Sequence, residues 1–397
     1  MMPFHELIDF ERAKEIIMEK TWEMERAEEV KITEACGRVV AESIKAGFDI
    51  PGFARAAMDG YAVIASDTFG ASMREPVKLE VVGKIFAGEV AREEIKKGEC
   101  MQIATGAPLP EGSDAVVMVE NTERDGDEVK IFKPVYPGAN VSPADEDVKE
   151  GEEVIKEGEV LNPSKVGVLA ALGMEKVKVY EKPEVHIYPT GKEVVPPGGK
   201  IEYGKIYDIN SYTLAALLQK EGANVKIHPV VDDSREAIEK CINESDYIIF
   251  SGGSSVGERD IMADVIKSKG ELFFHGIALK PGKPTIFGKV GKTLIFGMPG
   301  YPTSCLTNAY VLLLPSIKKM ARLPLKIERK EAMLAEKIVS TIGRYQIYPV
   351  RVEGEKAYPV FKESGAITSL SEASGYIEIP ANVEYLEKGS KVLVNYF

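Results

Sequence analysis

Residues 247–265 read YIIFSGGSSVGERDIMADV: an apolar run, then small residues, then a charged segment with helical spacing. A strand that turns through glycines into a helix is typical of an open parallel sheet, where ligands bind beyond the carboxyl ends of the strands. Glycines let the backbone approach a ligand, and successive N–H groups before a helix attract an anion. This glycine loop, residues 251–260, therefore predicts an anion site. Its candidate binding residues are Gly252, Gly253, Ser254, Ser255 and Gly257.

The glycine loop departs from the common phosphate-binding motifs. No G-K-[ST] follows it, and Ser254 stands where G-x-G-x-x-G requires glycine at its third position. The alternative is a glycine turn whose closing acid, Asp260, caps the next helix. The loop alone leaves both interpretations open.

The segments around this loop alternate between strand-like and helix-like patterns. They read EVHIYP, SYTLAALLQKEG, NVKIHPVV, SREAIEKCIN, DYIIF, DIMADVIKSKG, ELFFHG and KTLIFG, followed by a helix from Pro302 to about Met320. Short strands that alternate with helices imply a parallel sheet. We therefore expect an α/β domain here.

The flanking regions are rich in strand patterns. From Asp49 to Asp147, short alternating runs broken by Gly and Pro predict a compact β module. Residues 151–179 read as a strand and a helix that starts at Asn162 and Pro163. After Leu325, several strand-like runs predict a small barrel or sandwich. A chain of 397 residues is long enough for several such domains.

Composition excludes several classes of protein. A formal net charge of −12 argues against a nucleic-acid partner, whose phosphates are neutralised by Lys and Arg. The four cysteines form no C-x-x-C pair, so we expect buried thiols rather than a zinc site or a disulfide framework. No apolar run approaches the roughly 18 residues of a membrane helix, and the N-terminus lacks the pattern of a secretory signal. We expect a cytoplasmic protein without a membrane partner.

Two further loops could hold an anion. The sequence LKPGKPTIFG (279–288) contains the lysine turn, residues 279–284, with its candidates Lys280, Gly282, Lys283 and Pro284. Two ammonium groups in an acidic chain suit an oxyanion or phosphate, although a basic surface turn is the alternative.

The third loop, residues 297–304 in GMPGYPTSC (297–305), follows a strand and opens a helix. Its candidates are Pro299, Gly300, Pro302 and Ser304. We expect the glycine loop, the lysine turn and this helix-start loop to follow three successive strands and to share one rim of the sheet.

Acidic residues are placed near the same rim. Glu193 follows one predicted strand, Asp232 and Asp233 follow the next, and Asp260 ends the glycine loop. Carboxylates beside an anion are explained if Mg²⁺ bridges them, because Mg²⁺ takes one or two carboxylates plus substrate phosphates. Capping of the helix in SREAIEK is the alternative role for Asp232 and Asp233.

Two turns in the N-terminal half carry polar groups that local structure does not explain. These are Asp59 in PGFARAAMDGYAV (51–63) and Thr105 in IATGAPLPEGSDAVVM (103–118). Turn chemistry accounts for the Gly and Pro residues there. It does not account for the acid and the hydroxyl.

Together these motifs resemble the molybdopterin molybdenumtransferase family, which includes the C-terminal domain of gephyrin. The resemblance covers almost the whole chain, in the family's order, through PGFARAAMDGYAV, TGAPLPEGSDAVVM, TGKEVVPPG, GKIYDINSY, SGGSSVGERD, LKPGKPTIFG and GMPGYPTS. It implies a multidomain α/β and β protein. The implied parts are an extended linker domain (1–46 plus 147–177), a β-rich inserted domain (47–146), an α/β domain similar to molybdopterin adenylyltransferase (178–326) and a C-terminal β-barrel (327–397).

The resemblance also implies an activity. Such an enzyme inserts molybdenum or tungsten from molybdate or tungstate into adenylylated molybdopterin, with Mg²⁺-dependent release of AMP, as the last step of molybdenum cofactor biosynthesis. It implies a homodimer with a shared active cleft, and molybdopterin adenylyltransferase is a further expected partner. The family pattern is altered at Ala56, Gly276, Tyr301 and Pro349. These altered positions leave open a binding or scaffold paralogue without turnover. A molybdopterin adenylyltransferase is a second alternative, because it shares the α/β domain, although the flanking modules with MDGYA and TGAP argue against it.

The resemblance implies roles for individual residues. The functional acids and hydroxyl would be Asp59, Thr105, Asp147, Glu193, Asp232 and Asp260. Among these, Asp232 and Asp260 would position Mg²⁺. The glycine loop and the lysine turn would hold the pterin phosphate and the AMP moiety. Lys283, Pro284 and Ser304 would lie near the oxyanion, with Arg344 as a further contact.

Overall fold

The structure is a computed structural model that describes residues 7–252, 261–363 and 365–397. Its contacts divide the chain into two compact units. The larger unit comprises the described residues through Glu28, together with Gly37–Val39 and Val179–Phe397. The smaller unit comprises Glu29–Cys36 and Val40–Lys178.

The larger unit contains a six-stranded sheet. Its strands, in spatial order, are Asn224–Ile227, Glu184–Pro189, Tyr247–Ser251, Thr293–Met298, Ile286–Val290 and Glu271–His275. Adjacent strands among the first four are parallel, but Ile286–Val290 is antiparallel to both of its neighbours. The α/β fold is confirmed, although the sheet is mixed rather than wholly parallel. Ile286–Val290 was not predicted as a strand. It forms a hairpin with Thr293–Met298 through Gly291, which has a φ of +59°.

Helices cover this sheet and bury its apolar side chains. The helices of the larger unit are Phe10–Lys20, Asn210–Lys220, Arg235–Cys241, Ile261–Lys269, Pro302–Asn308, Leu314–Met320 and Thr368–Ser371. A π-helical stretch, Ala309–Leu313, joins two of them, so the predicted helix from Pro302 to Met320 is confirmed as one continuous element. The π-helical stretch lies just before Pro315, which has no N–H to donate to the helix.

The core of this domain lies between the sheet and its helices. Ile248, Phe250 and Ile295 from the central strands pack with Val265 and Ile266. All five are at most 1% exposed. Because these side chains are closely packed, the two central strands are held in place, and so are the strand ends from which the glycine loop and the helix-start loop begin.

A closed barrel forms the C-terminal part of the larger unit. Its strands are Tyr345–Glu353, Lys356–Pro359, Arg329–Leu334, Lys391–Tyr396 and Gly375–Ile379, and the last pairs back onto the first. The predicted C-terminal barrel is confirmed. The strand Leu279–Lys280 pairs in parallel with Tyr345 and Gln346, which fixes the lysine turn to this barrel. Two small pairs complete the unit: Val194–Val195 with Ile206–Tyr207, and Ile338–Val339 with Tyr385–Leu386.

The smaller unit is built on a second six-stranded sheet. Its order is Ala115–Met118, Gly60–Val63, Glu99–Ile103, Val77–Ile85, Glu128–Ile131 and Thr122–Asp125. The predicted β module is confirmed. Short strands pair as Ile44–Lys45 with Glu153–Ile155 and as Arg55–Ala56 with Val141–Ser142. The helix Pro163–Ala171 starts as predicted, because the Asn162 side chain accepts the Lys165 N–H at 2.9 Å. Two further strands, Ala27–Lys31 and Lys176–Tyr180, each contain residues of both units.

The cysteines and the lengths of the apolar helices were both predicted from the sequence. Cys100, Cys241 and Cys305 are buried, but Cys36 is exposed, so the expectation of four buried thiols is wrong for that residue. Cys36 lies in a turn beside Gly37, whose φ is +81°. Within the described ranges, no helix is long and apolar enough to cross a membrane.

Candidate functional site

The glycine loop and the helix-start loop begin side by side in the larger unit. Their strands are neighbours, and Ser251 pairs with Met298. Gly252 has a φ of +99°, and a Cβ there would lie 2.5 Å from the carbonyl oxygen of Thr190. A Cβ on Gly300 would lie 3.7 Å from the Gly252 Cα. The two predicted binding glycines therefore come together, and Gly252 has no room for a side chain.

The rest of the glycine loop cannot be placed. Gly253, Ser254, Ser255 and Gly257 lie outside the described residues, and so does Asp260. Their predicted roles in anion and metal binding stay predictions.

A buried asparagine supports the helix-start loop. The Asn210 side-chain amide donates to the Gly300 carbonyl oxygen at 3.0 Å. Pro302 occupies the first turn of its helix as predicted, and Ser304 is 4% exposed. The sequence analysis did not choose Asn210, although it lies in GKIYDINSY, one of the segments that carry the resemblance.

The lysine turn is attached to two other elements. Lys280 Nζ donates to Thr341 Oγ1 at 2.7 Å, next to the barrel. On the other side, the buried side chain of Asn308 donates to the Gly282 carbonyl oxygen at 2.9 Å. Gly282 has a φ of +107°, where glycine is favoured. Thr341 and Asn308 were not among the predicted site residues.

The strands that precede the three loops end at one rim of the sheet as expected, because His275 pairs with Ile286, Ile286 pairs with Gly297, and Ser251 pairs with Met298. The expectation that the loops follow three successive strands is wrong. The lysine turn follows Glu271–His275, which is separated from Thr293–Met298 by the antiparallel strand Ile286–Val290. Only the glycine loop and the helix-start loop follow adjacent strands. The lysine turn is positioned instead by its pairing with the barrel and by Asn308.

Arg344 lies on the barrel segment that pairs with the lysine turn. The next residue, Tyr345, donates its backbone N–H to the Ala278 carbonyl oxygen at 2.9 Å. Thr341, which accepts from Lys280, lies three residues before Arg344. The structure thus brings the segment of Arg344 to the lysine turn, and the Arg344 side chain is half-buried.

The acidic residues near the sheet differ in their surroundings. The side chain of Asp232 is 59% exposed and lies 4.0 Å from Lys192 Nζ. Burial raises the pKa of Asp233, and the negative charge of Glu193 raises it further. Ser234 caps the following helix by accepting the Ala237 N–H at 3.3 Å. The capping alternative is therefore wrong for both aspartates.

The described residues contain no group of three or more His, Cys, Asp or Glu side chains that could hold a metal ion. The second acid proposed to bind Mg²⁺, Asp260, is not among them. Glu193, Asp232 and Asp233 therefore do not form such a group by themselves.

In the smaller unit, two predicted residues are in direct contact. The Asp59 carboxylate accepts hydrogen bonds from the Thr105 backbone N–H at 2.7 Å and from the Thr105 hydroxyl at 2.9 Å. These two bonds, in that order of importance, lower the pKa of Asp59. The third predicted residue of this unit, Asp147, is exposed and donates its backbone N–H to the Ile50 carbonyl oxygen at 3.0 Å. Asp147 is thus hydrogen-bonded to Ile50, the residue just before the motif of residues 51–63. Within the motif, Asp59 is hydrogen-bonded to Thr105.

Three family models match successive regions of the chain. The "Probable molybdopterin binding domain" matches residues 186–319, which contain the six-stranded sheet of the larger unit. The "MoeA N-terminal region (domain I and II)" matches residues 8–173, and the "MoeA C-terminal region (domain IV)" matches residues 331–397. The α/β domain therefore matches the model of a probable molybdopterin binding domain, with regions on both sides that match the MoeA N-terminal and C-terminal models.

Individual relatives match over nearly the whole chain. A MoeA molybdopterin biosynthesis protein from Pyrococcus horikoshii is 42% identical, with a TM-score of 0.88 over 98% of this chain and 99% of that one. A second structure of such a protein from that organism is 35% identical, with a TM-score of 0.81 over 99% and 100%. The molybdopterin molybdenumtransferase of Haemophilus influenzae is 32% identical over 94% of this chain and 96% of its own. The chain belongs to the MoeA family.

Proposed function

We propose that this protein is a molybdopterin molybdenumtransferase, an enzyme of a late step in molybdenum cofactor biosynthesis. It transfers molybdenum or tungsten from the oxyanion to adenylylated molybdopterin and releases AMP in a Mg²⁺-dependent reaction. The observation that carries the proposal is the similarity to the Haemophilus influenzae molybdenumtransferase over 96% of that enzyme's length. The arrangement of the binding loops supports it independently.

The proposed anion site combines glycine backbone, which no side chain covers, with positively charged side chains. Gly252 and Gly300 lack side chains, so a phosphate group of the substrate can approach the backbone there. Lys280 and Lys283 supply positive charge in a chain whose net charge is −12. Ser304 supplies a hydroxyl group, and Arg344 lies on the barrel segment next to the lysine turn. These groups would bind and orient the substrate phosphates and the oxyanion, which is the main contribution a protein makes to such a transfer.

The acids near the sheet suit a magnesium site. Oxygen ligands from one or two carboxylates, completed by substrate phosphates, are what Mg²⁺ prefers. Burial and then the negative charge of Glu193 raise the pKa of Asp233, and a cation placed beside these carboxylates would relieve that repulsion. We assign Asp232 and Asp260 to hold Mg²⁺, with Glu193 nearby. Bound Mg²⁺ would reduce the repulsion between the phosphate oxygens and polarise the phosphoanhydride.

The acids of the smaller unit have a different proposed role. The two bonds from Thr105 lower the pKa of Asp59 and hold its carboxylate in place, and the carboxylate oxygens can accept a further hydrogen bond from a substrate N–H or O–H group. Asp147 is proposed to act in the same site. The proposal further includes a cytoplasmic homodimer, a four-domain division of the chain, and molybdopterin adenylyltransferase as the source of the substrate.

One assay tests the proposed function. The purified protein is incubated with adenylylated molybdopterin, Mg²⁺ and either molybdate or tungstate, and AMP release and metal incorporation are measured. We expect AMP release that requires the oxyanion and Mg²⁺. Binding without turnover would instead support a scaffold protein, and ATP-dependent adenylylation of molybdopterin would support an adenylyltransferase.

A further inference from the structure

A closed ring of hydrogen bonds lies beneath the lysine turn. Asn308 Nδ2 donates to the Gly282 carbonyl oxygen at 2.9 Å and to Thr285 Oγ1 at 2.7 Å. Thr285 Oγ1 donates in turn to the Gly282 carbonyl oxygen at 2.9 Å. Asn308 and Thr285 are both 0% exposed. The carbonyl group of Gly282, between the two lysines, is therefore held by two buried side chains.

The contact between Asn308 and Gly282 leaves no free space. A Cβ on Gly282 would lie 2.2 Å from Asn308 Oδ1 and 2.3 Å from Asn308 Nδ2. The amide therefore fixes the position of the turn by close contact as well as by hydrogen bonding.

Packing alone does not explain an asparagine at this position. Asn308 Oδ1 is buried and accepts no hydrogen bond within the described part of the chain. A buried acceptor without a partner destabilises the folded state, whereas an apolar side chain of similar size would avoid that cost. The two bonds that Asn308 donates both act on the lysine turn and the residue that follows it.

Asn308 joins the lysine turn to the helix that follows the helix-start loop. Ser304 lies four residues earlier on the same helix, which begins at Pro302. Residues four apart lie on the same helical face. We infer that Asn308 is a positioning residue that sets the distance between the lysine turn and the first turn of this helix. This inference rests on the proposed function, since those two elements would hold the oxyanion.

The expected consequence is specific to the oxyanion. When Asn308 is lost, the Gly282 carbonyl group keeps only the hydrogen bond from Thr285 Oγ1, and the close contact of the turn with the amide is gone, while Lys280 keeps its bond to Thr341. The lysines then sample several positions, and binding of a small tetrahedral anion weakens because its contacts depend on placement to within about 1 Å. The pterin and adenylate are larger and would contact more of the proposed site than the lysine turn alone, so their binding should change less.

The test compares two variants of the ring with a matched control. Asn308→Ala removes both donated bonds, and Thr285→Val removes the hydroxyl from the ring with little change in shape. Asn395→Ala is the control, because Asn395 is a buried barrel asparagine, 3% exposed, that accepts from Arg329 at 2.9 Å. For each protein, kcat, the KM for molybdate, the KM for adenylylated molybdopterin and the Tm are measured.

We expect both ring variants to raise the KM for molybdate by about tenfold or more, with kcat at saturating molybdate nearly unchanged. The control should lose thermal stability without a change in either KM. Direct calorimetric titration of the protein with molybdate should show the same loss of affinity.

The results separate the inference from the proposed function. A wild-type molybdate KM in a folded ring variant, or an equal rise in the control, overturns the inference alone. If Asn308→Ala does not fold, the KM for molybdate of Thr285→Val decides whether the inference holds. If the wild-type protein shows no oxyanion-dependent AMP release, the proposed function and the inference fail together.

Discussion

The carboxylate of Asp59 is bound twice by Thr105, through the backbone N–H at 2.7 Å and the hydroxyl at 2.9 Å. The two residues are 46 positions apart in the sequence. They meet because Asp59 precedes the strand Gly60–Val63 and Thr105 follows its antiparallel partner Glu99–Ile103. Hydrogen bonds to an ionised carboxylate favour that form, which explains the lowered pKa of Asp59.

Thr105→Val tests this relationship. The hydroxyl bond is lost and the backbone bond stays, so the pKa of Asp59 should rise part of the way toward its ordinary value of 3.8. Since the folded-state pKa is lowered, Asp59 stabilises the fold above that ordinary value, and the contribution is lost as the pH falls through the folded pKa. The substitution should reduce this contribution.

Titration of the Asp59 carboxyl carbon by NMR checks that expectation. Thr122→Val is a suitable control, because the Thr122 hydroxyl donates to the Val119 carbonyl oxygen rather than to a carboxylate. An unchanged Asp59 pKa in Thr105→Val would show that the hydroxyl bond does not form in solution.

Lys280→Met should weaken binding of molybdate by more than about tenfold, because it removes a charge-assisted contact to the anion. The methionine keeps much of the apolar stem, so the Tm should change little. Binding is measured by calorimetric titration with molybdate. Lys337→Met, which removes a surface lysine paired with Glu387, is the control and should bind normally. Equal affinities for the two variants would exclude Lys280 from the anion site.

Gly252→Ala should destabilise the protein more than an ordinary glycine substitution. A left-handed φ costs an alanine about 1–2 kcal/mol, and at Gly252 the new Cβ would also lie 2.5 Å from the Thr190 carbonyl oxygen. Gly198→Ala is matched to it, since Gly198 has a φ of +86° with no atom within 4 Å of its Cβ position. Urea unfolding should rank Gly252→Ala as clearly less stable. Equal losses would mean that the loop moves freely to accept the methyl group.

Tyr247→Phe should lower the free energy of unfolding by about 1–2 kcal/mol, because it breaks a buried network of hydroxyl groups. Tyr247 OH and Thr21 Oγ1 each lie 2.7 Å from Ser316 Oγ, and Tyr247 is 0% exposed. The measurement is chemical denaturation. The control is Tyr212→Phe, because Tyr212 is 46% exposed and its hydroxyl can bond to water in either state. A loss of stability as small as that of the control would show that the network is not stabilising.

Much of the fold and part of the candidate site could be predicted from the sequence. The run of Tyr247–Ser251 and the pattern from Pro302 to Met320 each predicted the element that forms there. Motif composition also selected Asp59 and Thr105, which are in contact. Asn210, Thr341 and Asn308 were missed, because a single polar residue in a helix or loop gives no local sign of the distant carbonyl or ammonium group that it will bind.

The sequence by itself determined the kinds of domains, their order and the loops that carry charge, because apolar periodicity and turn residues act over a few neighbouring positions. Only the tertiary structure decided that Ile286–Val290 runs antiparallel to its neighbours. Side chains alternate between the two faces of a strand in the same way whichever direction the strand runs, so the sequence pattern does not specify the direction. Tertiary structure also placed the lysine turn between the barrel and Asn308. That placement depends on strand pairing and packing between distant segments, which no local pattern specifies.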